Sequence, residues 1–310
     1  MEAGEIRDSE TSYWLDRFGK IRQHVGKDGR RAPHKPLLLL YMLGKFRTTG
    51  SASVTFLEAE PALHKLLTDF GTPTSKPRPE FPFTRLENDG LWFVTGPNGE
   101  PNPGENSPRL LRAGYVGSLS PDLLRALTNN PTLLNSLSTF LIEREFPESI
   151  HSLIASATEL SFDRSVYFES FETVLRRKRV LAFRDEILAY YEGLCTFCGF
   201  HGQLDEVNVG VEAAHIRWFA YDGANDLSNG IALCAIHHLL FDLGVMGLDD
   251  DLKITVSKRF DALSTSAFNA VDELDGEPLV GLSKASKKIS RSSILWHRSQ
   301  VFKGSRTTRV

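Results

Sequence analysis

Two short motifs of cysteine and histidine constrain the fold of this chain most. Cys195 and Cys198 form a CxxC pair, and Cys234 and His237 form a CxxH pair later in the chain. Thiolates and an imidazole at this repeated spacing are typical of a tetrahedral structural Zn²⁺ site, and the two motifs use all three cysteines. A redox role for the CxxC pair is the alternative, although no βαβ pattern surrounds it. We therefore expect a zinc ion that closes residues 195–237 into one unit.

The same segment carries a second set of proton-accepting and metal-binding groups. His215 follows a short apolar run, as at the end of a strand, and Asn229 precedes a glycine that indicates a turn. Residues 231–234 predict a second strand, and a helix follows, so the segment predicts a ββα unit. His238 and Asp242 are four residues apart and share one face of that helix. A neutral imidazole can accept a proton from water near pH 7, and a bound divalent cation assists phosphodiester cleavage.

The blocks AAHI, SNGIALC and HHLLFD, which contain His215, Asn229 and His238, resemble the HNH (ββα-metal) nuclease motif in order and spacing. The resemblance covers about residues 195–245. It implies that His215 is the general base that activates water, and that Asn229 orients His215 or fixes the loop and the metal. It also implies that His238 is a ligand of a catalytic cation, usually Mg²⁺ or Mn²⁺.

The chain departs from the HNH pattern at one position. Many such nucleases have an aspartate or histidine directly before the base as a further metal ligand, and here that residue is Ala214. A ligand must therefore come from elsewhere. Asp242, one helical turn after His238, is the first candidate, and Asn229 or a water molecule would complete the set.

The first half of the chain contains a local concentration of positive charge. The net charge of −3 does not by itself favour nucleic-acid binding, so a DNA-binding protein of this composition must cluster its cations. Six lysines and arginines against one acidic residue lie between Lys20 and Lys35. Pro36 then begins an apolar helix whose N-terminus adds a partial positive charge behind His34. This edge either faces phosphates or is a solvated basic loop.

A second basic segment, GTPTSKPRPEFPF, follows a helix predicted over Phe56–Phe70. Its prolines predict a loop. The Phe81-Pro82-Phe83 cluster within it either contacts DNA beside its cations or closes the edge of a hydrophobic core. A strand is predicted at LWFVT, and helices are predicted to begin near Pro121 and Pro131.

The blocks RAPHKPLLLL and FPFTRLENDGLW resemble the sulfur-binding domain of McrA-like restriction endonucleases, which recognise phosphorothioate-modified DNA and end in an HNH nuclease domain. The resemblance implies that Phe81 and Pro82 form an apolar pocket wall with Arg85 nearby, and that His34 and Lys35 hold the backbone and reach base edges. An apolar pocket favours sulfur, because it would desolvate an oxygen without compensation. The remaining implied contacts to phosphates and bases come from Arg31, Arg78, Arg109 and Arg112.

The recognition residues also depart from that family. Phe81 and Lys35 stand where the family often has tyrosine and arginine. Phe81 keeps the apolar wall without a hydroxyl, and Lys35 cannot make a bidentate guanidinium contact.

These observations predict an α+β protein: a mainly helical DNA-binding domain with a small sheet (1–150), a helical linker (151–180) and a zinc-stapled ββα-metal (HNH) nuclease domain (181–310). The expected function is a restriction endonuclease acting on phosphorothioated double-stranded DNA. An HNH enzyme specific for methylated DNA and a non-catalytic, zinc-stabilised DNA-binding regulator are the alternatives. Because one ββα site cuts one strand, we expect a homodimer.

The expected location is the cytoplasm. The N-terminus is acidic and polar rather than a signal peptide, and an odd number of cysteines is typical of a reducing compartment. The longest apolar run, Leu37–Leu43, is too short to span a bilayer, so no membrane association is expected.

Overall fold

The computed structural model describes residues 2–23, 32–73, 76–161, 171–205, 207–281 and 288–304, without the side chains of 2–8 and 171–180. Arg31, one of the predicted DNA contacts, lies outside these residues. The chain divides into two compact units, Met1–Phe146 with His151–Phe168, and Pro147–Ile150 with Glu169–Val310. No helix in the described part of the chain is both long and apolar enough to cross a membrane.

The first unit is mainly helical with a small sheet, as predicted. Its elements in chain order are α1 (Glu2–Gly19), α2 (His34–Thr49), β1 (Ser53–Thr55), α3 (Phe56–Phe70), α4 (Glu80–Arg85), β2 (Trp92–Thr95), α5 (Pro108–Arg112), β3 (Val116–Leu119), α6 (Pro121–Asn129), α7 (Pro131–Glu145) and α8 (His151–Ala157). Strand β3 lies between β1 and β2 and is antiparallel to both.

Helix α2 forms the centre of this unit. Residues 36–40 are all buried, as expected for a continuous apolar run, and the helix packs against α3, α4 and α7. Gly50 ends it in the left-handed region, with φ 70°. A Cβ at Gly44 would lie 1.7 Å from the carbonyl oxygen of Thr158, so glycine is needed for the chain after α8 to approach α2.

The predicted domain boundaries at residues 150 and 180 stay predictions.

Helix α4 replaces the loop that was predicted around Phe81-Pro82-Phe83, and that prediction was wrong. Proline is tolerated in the first turn of a helix, where its missing N–H has no partner to lose. Phe83 is fully buried and meets Phe56 and Trp92 edge to face, with ring centroids 5.0 and 5.6 Å apart. The Trp92 indole N–H donates to the Phe83 carbonyl at 2.7 Å. Phe83 is therefore a core residue.

The second unit contains the predicted ββα unit. Its elements in chain order are α9 (Phe171–Tyr190), β4 (Gly202–Leu204), β5 (Val207–Val209), β6 (Val211–His215), β7 (Gly230–Cys234), α10 (Ala235–Asp242), β8 (Met246–Leu248), β9 (Ile254–Val256), α11 (Thr265–Ala270) and α12 (Arg291–Gln300). Strands β4–β5, β6–β7 and β8–β9 form three antiparallel hairpins. His215 pairs with Gly230 at the open end of β6–β7.

Helix α12 packs against the ββα unit. The His297 ring stacks on Phe241 of α10 with centroids 3.7 Å apart, and its Nε2 donates to the Phe241 carbonyl at 3.0 Å. Complete burial lowers the pKa of His297 to about 4. Trp296 contacts Trp218 and Tyr221 at 5.8 and 5.6 Å between centroids. His297 is thus a neutral structural residue.

Candidate functional site

The four predicted zinc ligands lie together. The ligand atoms of Cys195, Cys198, Cys234 and His237 are all within 4.8 Å of one another. His237 Nδ1 lies 3.5 Å from the Cys195 sulfur and 3.2 Å from the Cys234 sulfur, while its Nε2 donates to the Ala270 carbonyl at 2.8 Å. Three sulfurs and one imidazole nitrogen form a donor set that suits tetrahedral Zn²⁺, and the backbone contact at Nε2 directs Nδ1 toward it.

His215 stands at the end of β6, where the plane of its ring and one ring nitrogen are constrained. Its ring stacks on Phe183 of α9, with centroids 3.9 Å apart and planes 15° apart, and Phe219 lies near it at 6.1 Å. Its Nε2 lies 2.7 Å from the Asn225 amide oxygen. Burial lowers the pKa of His215, against the opposing effects of Asn225 and Asp242. The imidazole is therefore neutral near pH 7 and able to accept a proton.

Asn229 is buried, with 1% of its surface exposed, and its side chain bonds the loop that joins β6 to β7. The amide oxygen accepts from the Arg217 backbone N–H at 2.8 Å. The amide nitrogen donates to the Arg217 and Ala224 carbonyls, both at 2.9 Å. These contacts support the loop-fixing role among the two that the HNH resemblance implied.

His238 lies between two carboxylates. Its Nδ1 is 2.7 Å from Glu212 of β6, and its Nε2 is 3.2 Å from Asp242, which confirms the shared helix face. Burial lowers the pKa of His238, but the two carboxylates outweigh it and raise the pKa to about 10. The two carboxylates thus favour the protonated ring, and a ring nitrogen that binds a metal must first lose its proton.

Asp242 has further partners. It accepts from the Trp218 indole N–H at 2.9 Å and from the Ser149 hydroxyl, and only 1% of its side chain is exposed. Glu212, by contrast, is 53% exposed. An imidazole with nearby carboxylate oxygens is a donor set that Mg²⁺ or Mn²⁺ accepts. No spacing rule had singled out Glu212, Trp218 or Ser149, because each approaches the site through tertiary packing.

Most of the predicted DNA-binding cations of the first unit form ion pairs. Lys35 contacts Asp89 at 2.6 Å, and both side chains are largely buried, with 13% and 5% exposed. The other pairs are Arg78 with Glu80 at 2.7 Å, Arg85 with Glu105, and Arg112 with Glu60. Arg109 is exposed on α5. The sequence could not show these pairings, because three of the four join residues distant in the chain.

Phe81 and two of these arginines form one cluster, which we call the Phe81 stack (Arg78, Phe81 and Arg85). Phe81 and Arg85 lie on α4, and Arg78 lies just before it. The guanidinium carbons of Arg78 and Arg85 lie 3.9 and 4.7 Å from the Phe81 ring centroid. Pro82 beside it is buried, and His34 begins α2, half-buried. The structure thus places four of the predicted contacts, Arg78, Phe81, Pro82 and Arg85, on or directly before one short helix.

Comparison with known proteins assigns both units. Residues 11–162 match the family model of the ScoMcrA-like DNA sulfur-binding domain, and residues 195–249 match that of the HNH endonuclease. No curated protein matches the chain.

Several solved structures are similar to parts of the chain. One is the sulfur-binding domain of SprMcrA complexed with phosphorothioated DNA, with 21% identity, a TM-score of 0.41, and coverage of 48% of this chain and 94% of that chain. The sulfur-binding domain of ScoMcrA complexed with phosphorothioated DNA is 22% identical, with a TM-score of 0.38. That match covers 47% of this chain and 94% of that chain. A modification-dependent TagI restriction endonuclease is 23% identical, with a TM-score of 0.30. That match covers 46% of this chain and 41% of that chain. On the two family matches, the chain joins a ScoMcrA-like DNA sulfur-binding domain to a C-terminal HNH endonuclease domain.

Proposed function

We propose that this protein is a restriction endonuclease that binds phosphorothioated double-stranded DNA through its first unit and hydrolyses phosphodiester bonds nearby with its second. One observation carries the proposal. A match to a DNA sulfur-binding domain is joined in a single chain to a ββα unit that holds His215, Asn229 and His238 together.

Recognition is assigned to the α4 region of the first unit. Sulfur in place of a non-bridging phosphate oxygen is larger and less hydrated, so an apolar wall at Phe81 and Pro82 favours it over oxygen. Arg78 and Arg85 supply positive charge beside that wall for the surrounding phosphates. His34, Lys35, Arg109, Arg112 and Arg31 are the further proposed contacts.

The ion pairs of the first unit have a consequence for affinity. A guanidinium or ammonium that is already paired must exchange its carboxylate for a phosphate. Its pairing therefore reduces the free energy that it contributes to DNA binding. In return, the carboxylate holds the cation in one orientation before DNA arrives. This favours discrimination between substrates over tight non-specific binding, in keeping with the net charge of −3.

In the second unit His215 acts as the general base. Its neutral ring takes a proton from water, the water oxygen attacks phosphorus, and the bond from phosphorus to the leaving oxygen breaks. The leaving oxygen then receives a proton from solvent. Stacking on Phe183 holds the ring in place, and Asn229 holds the loop beside it.

The metal-binding roles follow from the donor sets. His238 would hold a catalytic Mg²⁺ or Mn²⁺, with Asp242 as the first candidate for a carboxylate ligand and Glu212 as the other carboxylate in contact with the ring. When bound, such a cation stabilises negative charge on the phosphate and the leaving oxygen. The Cys₃His cluster would hold a structural Zn²⁺.

Two further properties belong to the proposal. Because one ββα site cuts one strand, a double-strand break requires two copies, and we assign a homodimer. The cytoplasm is the assigned location, since free cysteines and a DNA substrate both suit a reducing compartment that contains DNA.

A plasmid comparison tests the proposal. Phosphorothioated, methylated and unmodified plasmids are incubated with the zinc-loaded protein and Mn²⁺ or Mg²⁺, and linear products are counted on gels. Cleavage restricted to the phosphorothioated plasmid, and lost in His215→Ala, is expected. Equal cleavage of all plasmids would remove the sulfur specificity, preference for methylated DNA would support the methyl-dependent alternative, and binding without cleavage would support a regulator.

A further inference from the structure

We propose that Asn225, which is not one of the three HNH motif residues, is a positioning residue that holds His215 as the Nε2–H tautomer and leaves Nδ1 to accept the proton from water. The inference rests on the proposed role of His215 as the general base. Its basis is the 2.7 Å separation between His215 Nε2 and the Asn225 amide oxygen.

The tautomer follows from the chemistry of the two groups. A neutral imidazole carries one N–H and one bare nitrogen, and an amide oxygen only accepts. Nε2 must therefore donate to Asn225, and the bare nitrogen is Nδ1. Without this contact both tautomers would be populated, and the ring would present its lone pair to water only part of the time.

The position of Asn225 is itself fixed on both sides by Asn229. The Asn229 side chain donates to the carbonyl of Ala224 at 2.9 Å, and the Asn229 backbone N–H donates to the carbonyl of Asp226 at 3.0 Å. The residues directly before and after Asn225 are thus both bonded to the motif asparagine. Asn229 holds the loop, and through the loop it presents the Asn225 amide to His215.

Asn225 is the neutral hydrogen-bonding partner of a ring that two charged groups and two aromatic rings surround. The charged groups that act on His215 are Asp242 and His238, both on α10, and their effects on its pKa are opposite. Burial and stacking on Phe183 hold the plane of the ring but do not distinguish its two nitrogens. Selection of the tautomer therefore falls to Asn225.

The experiment measures the tautomer directly, without relying on activity. The zinc-loaded full chain is labelled with ¹⁵N at its nine histidines, and His215 is assigned by the signal lost in His215→Ala. Long-range ¹H–¹⁵N spectra distinguish a protonated from a bare ring nitrogen. Wild type is expected to show Nε2–H with bare Nδ1, and Asn225→Ala a mixture. A wild-type Nδ1–H tautomer, or an unchanged spectrum in Asn225→Ala, would overturn the proposal.

Activity measurements separate this inference from the proposed function. Asn225→Ala is expected to lower kcat about tenfold, the effect of losing one well-placed hydrogen bond, with Mn²⁺ affinity unchanged. Asn225→Asp keeps an acceptor oxygen, so it should restore much of the rate and move the acid limb of the pH–rate profile to higher pH. If Asn225→Asp is no better than Asn225→Ala and the limb does not move, positioning by Asn225 is wrong.

A matched control uses the same substitution at another asparagine–histidine pair. Asn208 Oδ1 lies 3.3 Å from His201 Nε2, and this contact is exposed. Asn208→Ala should leave kcat and the pH profile as in wild type. If His215→Ala is inactive and Asn225→Ala has normal kinetics, only the role of Asn225 is refuted. If His215→Ala is still active, the proposed function is refuted.

Discussion

Replacing Asn229 by alanine would remove three hydrogen bonds from the buried loop between β6 and β7. The Arg217 N–H loses its acceptor, and the Arg217 and Ala224 carbonyls lose their donor. All three bonds are 2.8 to 2.9 Å long, and the side chain that makes them is 1% exposed. Water therefore cannot replace the amide without opening the loop.

The size of the effect follows from these three bonds. At a net contribution of about 1 kcal/mol for each, the second unit loses about 3 kcal/mol of its free energy of unfolding. For a unit of roughly 150 residues, each kcal/mol corresponds to about 3 °C, so its midpoint should fall by about 9 °C. The first unit does not contain this loop, and its transition should stay in place.

Differential scanning calorimetry of the zinc-loaded full chain measures both transitions. Cys195→Ser identifies the transition of the second unit, because it removes a zinc ligand there. Asn208→Ala serves as the control, since the bonds of its side chain to His201 and Gln203 are exposed. It should change stability by less than about 0.5 kcal/mol.

Two results would refute this account of Asn229. A fall of less than about 2 °C would mean that the three bonds contribute almost nothing. A fall equal to that of Asn208→Ala would mean that burial of the amide does not matter. Either result would also weaken the role of Asn229 in presenting Asn225.

Three further predictions concern the second unit. His297 is neutral in the folded protein, with a pKa of about 4, so its contribution to the free energy of unfolding is complete above pH 6.5. As the pH falls toward 4 the protein should lose about 3 kcal/mol of stability from this residue, and urea unfolding of wild type and His297→Phe across this range measures the loss. Removing zinc with a chelator should unfold the second unit and leave the first folded, as followed by zinc content and calorimetry. Asp242→Asn should weaken Mn²⁺ binding about tenfold or more, because Asp242 contacts His238, as followed by Mn²⁺ electron paramagnetic resonance.

Patterns of short range in the sequence determined several features of this protein. The Cys₃His cluster, the ββα unit and the shared face of His238 and Asp242 all follow from spacing within a few tens of residues. The boundaries of α3 also agree with its apolar periodicity. Such features depend on the local geometry of helices and strands, which fixes which side chains lie near each other.

Only the tertiary structure decided which partners the functional side chains have. Lys35 meets Asp89 across 54 positions, Arg112 meets Glu60 across 52, and Ser149 meets Asp242 across 93. Likewise, the burial of Phe83 required β2 to pack against α4. Charges and hydroxyl groups bond whatever folding brings near them, and no local pattern encodes that choice. The sequence by itself therefore determined which residues are candidates for the chemistry, whereas packing decided how each of them is held, because contacts between distant segments form only when the core does.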